Sequence, residues 1–239
     1  MTDDCRLAKK PETLHETREV HYDSGHWEHL QFLRNKALQV MYKIESGGFK
    51  PFVYGSVARG DISQSSDIDI IILRPIPSYR LELVLEKSVK RELVQATPSM
   101  VLKAHLHLPE DITVTFPMFK LLPREEEFYR WGGLIDSDGL SNNTRVPGVD
   151  KRLLLIEPTE TGHIEQGVIG YEHEVSKKLN VSTGIAQERV RVLTRRDNVG
   201  RTGVYLTRTL TPSENFEAVA KELQDSDPAL RRTIQRRGG

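Results

Sequence analysis

The chain is nearly free of cysteine: Cys5 is the only one in 239 residues. That excludes an internal disulfide framework and any zinc site built from several thiolates. No apolar run approaches the roughly 18 residues that span a bilayer. The opening Met1-Thr2-Asp3-Asp4-Cys5-Arg6 is charged, unlike a secretory leader. A soluble, cytoplasmic protein with no membrane partner is expected. Repeats and low-complexity tracts are missing. Net charge is missing too, with 34 Lys+Arg against 34 Asp+Glu. Neutrality does not exclude nucleic acid, because a local basic strip decides that. Apolar residues at 37% and charged residues at 28% lie far from the composition of disordered chains. The length allows one large or two small domains.

What is present divides into segments. Residues 1–23 are polar and aperiodic, as in a flexible or loosely docked arm. Trp27, Leu30, Leu33, Ala37, Leu38, Met41 and Ile44 then recur at helical spacing, with Ser24 able to cap the start and Gly47-Gly48 as the stop. Strands are expected at Phe52–Tyr54 and Asp67–Leu73, a helix over 79–95, and strands near 100–108 and 112–116. This order makes residues 24–131 a small α/β domain. The glycines, asparagines and Pro147 of 132–149 predict an inter-domain linker. Residues 150–210 form a second, mainly helical domain, and 211–239 a C-terminal helix with a basic tail. Arg152–Glu157 reads as a strand or the start of a helix.

The chemistry lies in Gly55-Ser56-Val57-Ala58-Arg59-Gly60, a five-residue spacer, and Ser66-Asp67-Ile68-Asp69. Glycine lets the backbone approach a ligand closely. A helix opening at Val57 offers free N–H groups which, with the Ser56 hydroxyl, suit a phosphate. Asp67 and Asp69 are two apart on a strand, so both face one side while Ile68, Ile70 and Ile72 face the other. Two neighbouring carboxylates repel. A divalent cation shared with a triphosphate removes that repulsion, and Mg²⁺ is commonly held by one or two carboxylates plus substrate phosphates.

This pattern resembles the nucleotidyltransferases of the DNA polymerase beta superfamily, most closely the minimal archaeal and bacterial type, over roughly residues 25–120. The resemblance implies an α/β (α+β) nucleotidyltransferase domain with a small mixed sheet. It also implies a Mg-dependent enzyme that moves an NMP from an NTP to an acceptor hydroxyl. By this likeness Gly55 and Ser56 hold the β- and γ-phosphates of the NTP, with ATP the expected substrate and Arg59 a further contact. Asp67 and Asp69 bind two Mg²⁺ ions, which Mn²⁺ can replace. A third carboxylate on a neighbouring strand acts as base toward the acceptor, and Asp111 is the candidate here. His105 and His107, alternate residues of one strand, read as a packed or solvated pair, and His21, His26 and His29 as surface histidines.

In the second half, residues 174–198 resemble a helix-turn-helix, with Asn180 in the left-handed turn and Ser182 or Thr183 as cap. Residues 199–206 read as a wing hairpin, so a winged-helix-like domain is expected. Arg189, Arg191, Arg195, Arg196, Arg201 and Arg208 face only Asp197 over that stretch, a strip suited to a DNA or RNA backbone. Nucleic acid is the favoured acceptor. The alternatives are a nucleotide-sensing, non-catalytic DNA- or RNA-binding regulator and an antitoxin-like enzyme that transfers AMP to a partner protein. Thr211–Glu214 reads as a capping box opening the last helix.

Overall fold

The computed structural model describes residues 10–85, 88–200 and 203–237. In chain order these residues form β1 (Arg18–His21), α1 (Ser24–Ser46), β2 (Pro51–Tyr54), α2 (Ser56–Arg59), β3 (Ile68–Ile72), α3 (Ser78–Leu85), β4 (Lys90–Gln95), β5 (Lys103–Leu108) and β6 (Ile112–Pro117). There follow α4 (Pro123–Trp131), β7 (Leu134–Ile135), α5 (Ser137–Ser141), β8 (Gly148–Val149), β9 (Leu154–Thr159), β10 (Gly162–Gly167), α6 (Glu172–Lys178), α7 (Thr183–Val199), β11 (Leu206–Thr209), α8 (Phe216–Ser226) and α9 (Pro228–Gln235). The architecture is mixed α/β with a helical C-terminal region, as expected. One sheet has the order β11-β4-β5-β6-β3-β2-β7, and the smaller has the order β1-β10-β9-β8. In the larger sheet β3 and β6 run parallel, while β2 and β3, and β5 and β6, are antiparallel.

Helix α1 buries Leu30, Leu33, Ala37, Met41 and Ile44 against Ile68, Ile70, Ile72, Val114 and Phe116 of the sheet. That apolar stripe is the one legible in the sequence. The N-cap is Asp23 rather than Ser24, its Oδ1 accepting from the His26 N–H at 2.8 Å. Gly47 and Gly48 end the helix, the latter at φ +82°. On the other face of the sheet, α4 packs Tyr129 over Ile71, Val101 and Leu121. This asymmetry leaves the β3 aspartates on a face only partly covered.

Several boundaries differ from expectation. The helix expected over 79–95 ends at Leu85, and Lys90–Gln95 is a strand. Its alternation puts Leu93 into the main core, a tertiary demand that local helix propensity does not register. The N-terminal arm is docked from Glu12 onward: the Glu12 N–H donates to the Arg152 carbonyl at 2.8 Å, and β1 pairs antiparallel with β10. Residues 132–149 are not a spacer: they carry β7, α5 and β8, and Ile135 and Leu140 sit in the main core. Their turn residues shape short elements packed on the first domain.

Where the helix-turn-helix is expected, α6 and α7 are joined by a short turn, with Val175, Leu179, Ile185 and Ala186 in a second core and Asn180 at φ +50°. Of the wing hairpin expected at residues 199–206, residues 201–202 lie outside the described residues; among the described ones Val199 ends α7 and no strand lies between it and Leu206. Strand β11 pairs antiparallel with β4, Leu206 opposite Gln95, extending the larger sheet instead. The expected capping box at Thr211–Glu214 is a turn, with the Thr211 N–H on the Glu214 carboxylate at 2.7 Å. Helix α8 starts later, capped by Asn215. The basic tail folds as well: α9 buries Leu230 and Ile234 in the main core, and Arg237 forms a two-pronged pair with Glu125, 2.8 Å on each prong. No described helix is long and apolar enough to cross a membrane.

Candidate nucleotide site

Strand β2 delivers the chain into Gly55 at φ +85°, ψ −147°, a backbone state open essentially to glycine alone. A Cβ there would touch nothing within 4 Å, so the constraint is conformational and not steric. The Gly55 N–H donates to the Gly133 carbonyl at 3.0 Å, and the Gly55 carbonyl accepts from Ala58 and Arg59 at 3.1 Å. Ser56 therefore opens a single helical turn at a fixed angle to the sheet. Its hydroxyl has one long contact, 3.4 Å to the Ser66 Oγ.

Arg34 holds this turn from behind, and sequence reasoning missed it. The side chain is 2% exposed and donates to the carbonyls of Val57 (3.1 Å), Ala58 (3.1 Å) and Thr144 (2.9 Å). Burial, and secondly the charge of Arg145, lowers its pKa to about 10. A signal did exist: Arg34 occupies the apolar stripe of α1, between Leu30 and Ala37. Arg59, expected to contact the triphosphate, is committed elsewhere. Its Nε and Nη2 grip Asp61, both at 2.9 Å, and its Nη1 donates to the Gly132 carbonyl at 2.5 Å. It ties α2 to the segment after α4.

Asp67 is exposed just before β3, and Asp69 is half-buried within it. Burial first, and the Asp67 charge second, push the Asp69 carboxyl up to about 7, with Lys151 pulling in the opposite direction. Tyr54 pairs with Asp69 across β2–β3. Tyr129 on α4 meets the Tyr54 ring edge-on at 4.9 Å. Both phenols are raised, chiefly by burial, and the Asp69 charge adds to the shift of each. Lys103 donates to the Tyr129 hydroxyl at 2.7 Å, and burial lowers its ammonium to about 8. Lys151, Tyr54, Tyr129 and Lys103 come from four separate segments, so no local motif announces them.

The fold brings together the Gly55–Ser56 turn, Asp67 and Asp69, but it places Asp111 differently. Glu110 and Asp111 form an exposed left-handed turn, φ +65° and +55°, and the Asp111 carbonyl accepts the Ile68 N–H at 3.1 Å. Asp111 precedes the strand, and the residue beside Asp69 in the parallel β3–β6 register is Thr113. Among the described residues no group of three or more His, Cys, Asp or Glu side chains is arranged to hold a metal. Two adjacent carboxylates, one raised by burial and by the other's charge, fit an ion that takes its remaining ligands from substrate phosphates and water. His26, expected at the surface, is only partly exposed: it stacks on Tyr22 at 3.6 Å, and its Nε2 bonds the Gly60 carbonyl at 2.8 Å.

Of the arginine strip, Arg191, Arg195 and Arg196 are exposed on α7. Arg189 lies over the Phe128 ring at 5.0 Å, and burial lowers its pKa to about 10. Arg201 falls outside the described residues.

No curated protein and no solved structure matches the chain. Residues 35–122 match the family model described as a nucleotidyltransferase domain. The matched stretch holds the Gly55–Ser56 turn, both aspartates and β6, and it supports a place for this domain in a nucleotidyltransferase superfamily.

Proposed function

We propose that the protein is a Mg²⁺-dependent nucleotidyltransferase of the DNA polymerase beta type, acting on an NTP, with ATP the first to try. The observation that carries this reading is the Asp67–Asp69 pair beside the Gly55–Ser56 turn, with Asp69 raised first by burial and then by its neighbour. Asp67 and Asp69 hold the ions. The Ser56 hydroxyl and the N–H groups opening α2 bind the triphosphate, and Arg34 keeps that turn in place. Bound Mg²⁺ neutralises the triphosphate and stabilises the attacking and leaving oxygens. Tyr54 and Tyr129 exclude water from one side of the carboxylates. The test is α-labelled ATP with Mg²⁺ and a pool of acceptors containing RNA, DNA and protein. Label on an acceptor, absent in Asp69→Asn, is the expected result; no transfer to any acceptor defeats the proposal.

Ser56→Ala should weaken ATP binding by about 1–3 kcal/mol, the range for a hydrogen bond to a charged group. AMP, which lacks the β- and γ-phosphates, should be insensitive. Isothermal titration of both nucleotides separates the cases, and equal losses would make Ser56 a fold residue.

Nucleic acid is the acceptor favoured by the exposed Arg191, Arg195 and Arg196. Their binding should show a log–log salt slope of about −0.9 per phosphate on duplex DNA and about −0.7 on single strands. Arg195→Gln with Arg196→Gln should lower the slope by about one to two units while weakening all sequences alike. Filter binding at several salt concentrations measures this, and a flat response removes the nucleic-acid role.

A further inference from the structure

The front face of the larger sheet carries a hydrogen-bonded line of side chains that starts beside Asp69 and runs across three strands. In the β3–β6 register Thr113 stands next to Asp69, and in the β5–β6 register His107 stands next to Thr113. The Thr113 Oγ1 is 3.2 Å from the His107 Nδ1, and the His107 Nε2 is 2.8 Å from the Glu92 Oε1. Glu92 is 8% exposed. Burial would raise it, but hydrogen bonds from Lys90 and His107 outweigh that and hold its carboxyl below the usual range. An ionised carboxylate only accepts, so the Nε2 carries the proton and the Nδ1 keeps its lone pair for the Thr113 hydroxyl. A hydroxyl, a base within reach and a third group orienting the base make the arrangement that activates hydroxyls in unrelated enzymes.

The neighbouring pair lacks these features and shows why the first is special. Thr115 and His105 are also in contact, at 3.0 Å between Oγ1 and Nδ1, and the two imidazoles lie nearly parallel, 6.2 Å apart. Thr115 is 2% exposed, sits beside Ile71 rather than an aspartate, and among the described residues no carboxylate bonds His105. Burial, then the charges of Lys103 and His107, lower His105 to about 4, so it stays neutral. Thr113 and His107 are both partly open to solvent.

The geometry points to Thr113, His107 and Glu92 as the proton-accepting relay of the transfer reaction, in the position where a third carboxylate was expected; this rests on the nucleotidyltransferase reading above. The acceptor O–H donates to the Thr113 Oγ1, and the Thr113 proton passes to the His107 Nδ1. The acceptor oxygen bonds the α-phosphorus as the bond to pyrophosphate breaks, and pyrophosphate leaves with that electron pair. The imidazolium formed is stabilised by Glu92. Thr113 touches the reacting oxygen; His107 and Glu92 act through it. The charged and titratable groups facing His107 are Glu92 and Lys90 on β4, His105 and Lys103 on β5, and Asp69 beyond Thr113 on β3.

The experiment follows labelled AMP, released to water or joined to bulk RNA, from α-labelled ATP and Mg²⁺. Thr113→Val and His107→Gln should each lower kcat by about 10²–10⁴-fold, the range for general acid–base catalysis, with KM for ATP unchanged. Thr113→Ser, which keeps the hydroxyl, should retain activity and shows that the site tolerates substitution. Independently of turnover, ¹⁵N NMR of the free protein should find His107 protonated on Nε2. The opposite tautomer overturns the relay. So does turnover lost in Asp69→Asn yet retained in Thr113→Val and His107→Gln, which leaves the nucleotidyltransferase reading standing. Absence of any labelled product from the wild type overturns both.

Discussion

Asp67→Asn and Asp69→Asn should each cost at least about 100-fold in Mg²⁺-dependent ATP affinity, since losing even the outer partners of a metal ligand costs 10–100-fold. Without Mg²⁺ the sign reverses for stability. The Asp69 carboxyl keeps its proton up to about 7 in the folded chain, whereas an unfolded aspartate releases it near pH 4. Over that window the folded state binds more protons, so this residue makes the metal-free protein less stable as pH rises from about 4 to about 7. Asp69→Asn removes the slope and should raise metal-free stability above pH 7 by about 1–3 kcal/mol. Urea titrations at pH 5 and pH 8, with and without Mg²⁺, measure both effects. Equal ATP affinity for wild type and both variants in Mg²⁺, or a metal-free Asp69→Asn protein less stable than wild type at pH 8, contradicts the site assignment.

Arg34→Met should be the most damaging single change outside the carboxylates. The substitution leaves the Val57 carbonyl buried without its side-chain donor, the Ala58 carbonyl with only the Val146 N–H at 3.3 Å, and the Thr144 carbonyl without its tie to the helix. Each unsatisfied buried group costs about 1–3 kcal/mol. Removing a guanidinium that was itself costly to bury offsets part of that sum. A net loss of about 2–4 kcal/mol is expected in the urea midpoint. Arg34→Lys should recover little, because one ammonium cannot reach three carbonyls in the fork geometry of a guanidinium. ATP affinity should fall with it, since the same bonds fix the turn that Ser56 opens. A stable Arg34→Met protein with normal ATP binding would show that the Gly55–Gly133 bond and Arg59 hold the turn without Arg34.

The notion of two modules joined by a spacer changes how such variants are read. Gly133 and Gly132, in the stretch expected to be a linker, accept hydrogen bonds from Gly55 and Arg59. Substitutions there should reach the nucleotide site directly.

Local patterning by itself determined what depends on local geometry. The 3.6-residue stripe of α1 named its buried face, and the period-two alternation of residues 67–72 put both aspartates on one side of β3. The Gly-Ser pair located the tight turn, and Asn180 the left-handed break between α6 and α7. In each case a dihedral or a side-chain period inside a few residues carries the information. Tertiary structure alone decided what depends on distant partners. Strand β11 joined β4 rather than closing a wing, because a sheet edge offers unpaired backbone groups to whatever segment reaches it. Arg59 went to Asp61, two residues on, and to the Gly132 carbonyl, 73 residues on, and the second partner is one only the fold brings near. Thr113 came to stand beside Asp69 because β3 and β6 pair in parallel, and the crossover between them sets a register no local spacing encodes. His105 and His107, equivalent in sequence, also part ways in the fold: Glu92 stands directly opposite His105 in the β4–β5 register, yet its carboxylate reaches diagonally to the His107 Nε2 at 2.8 Å.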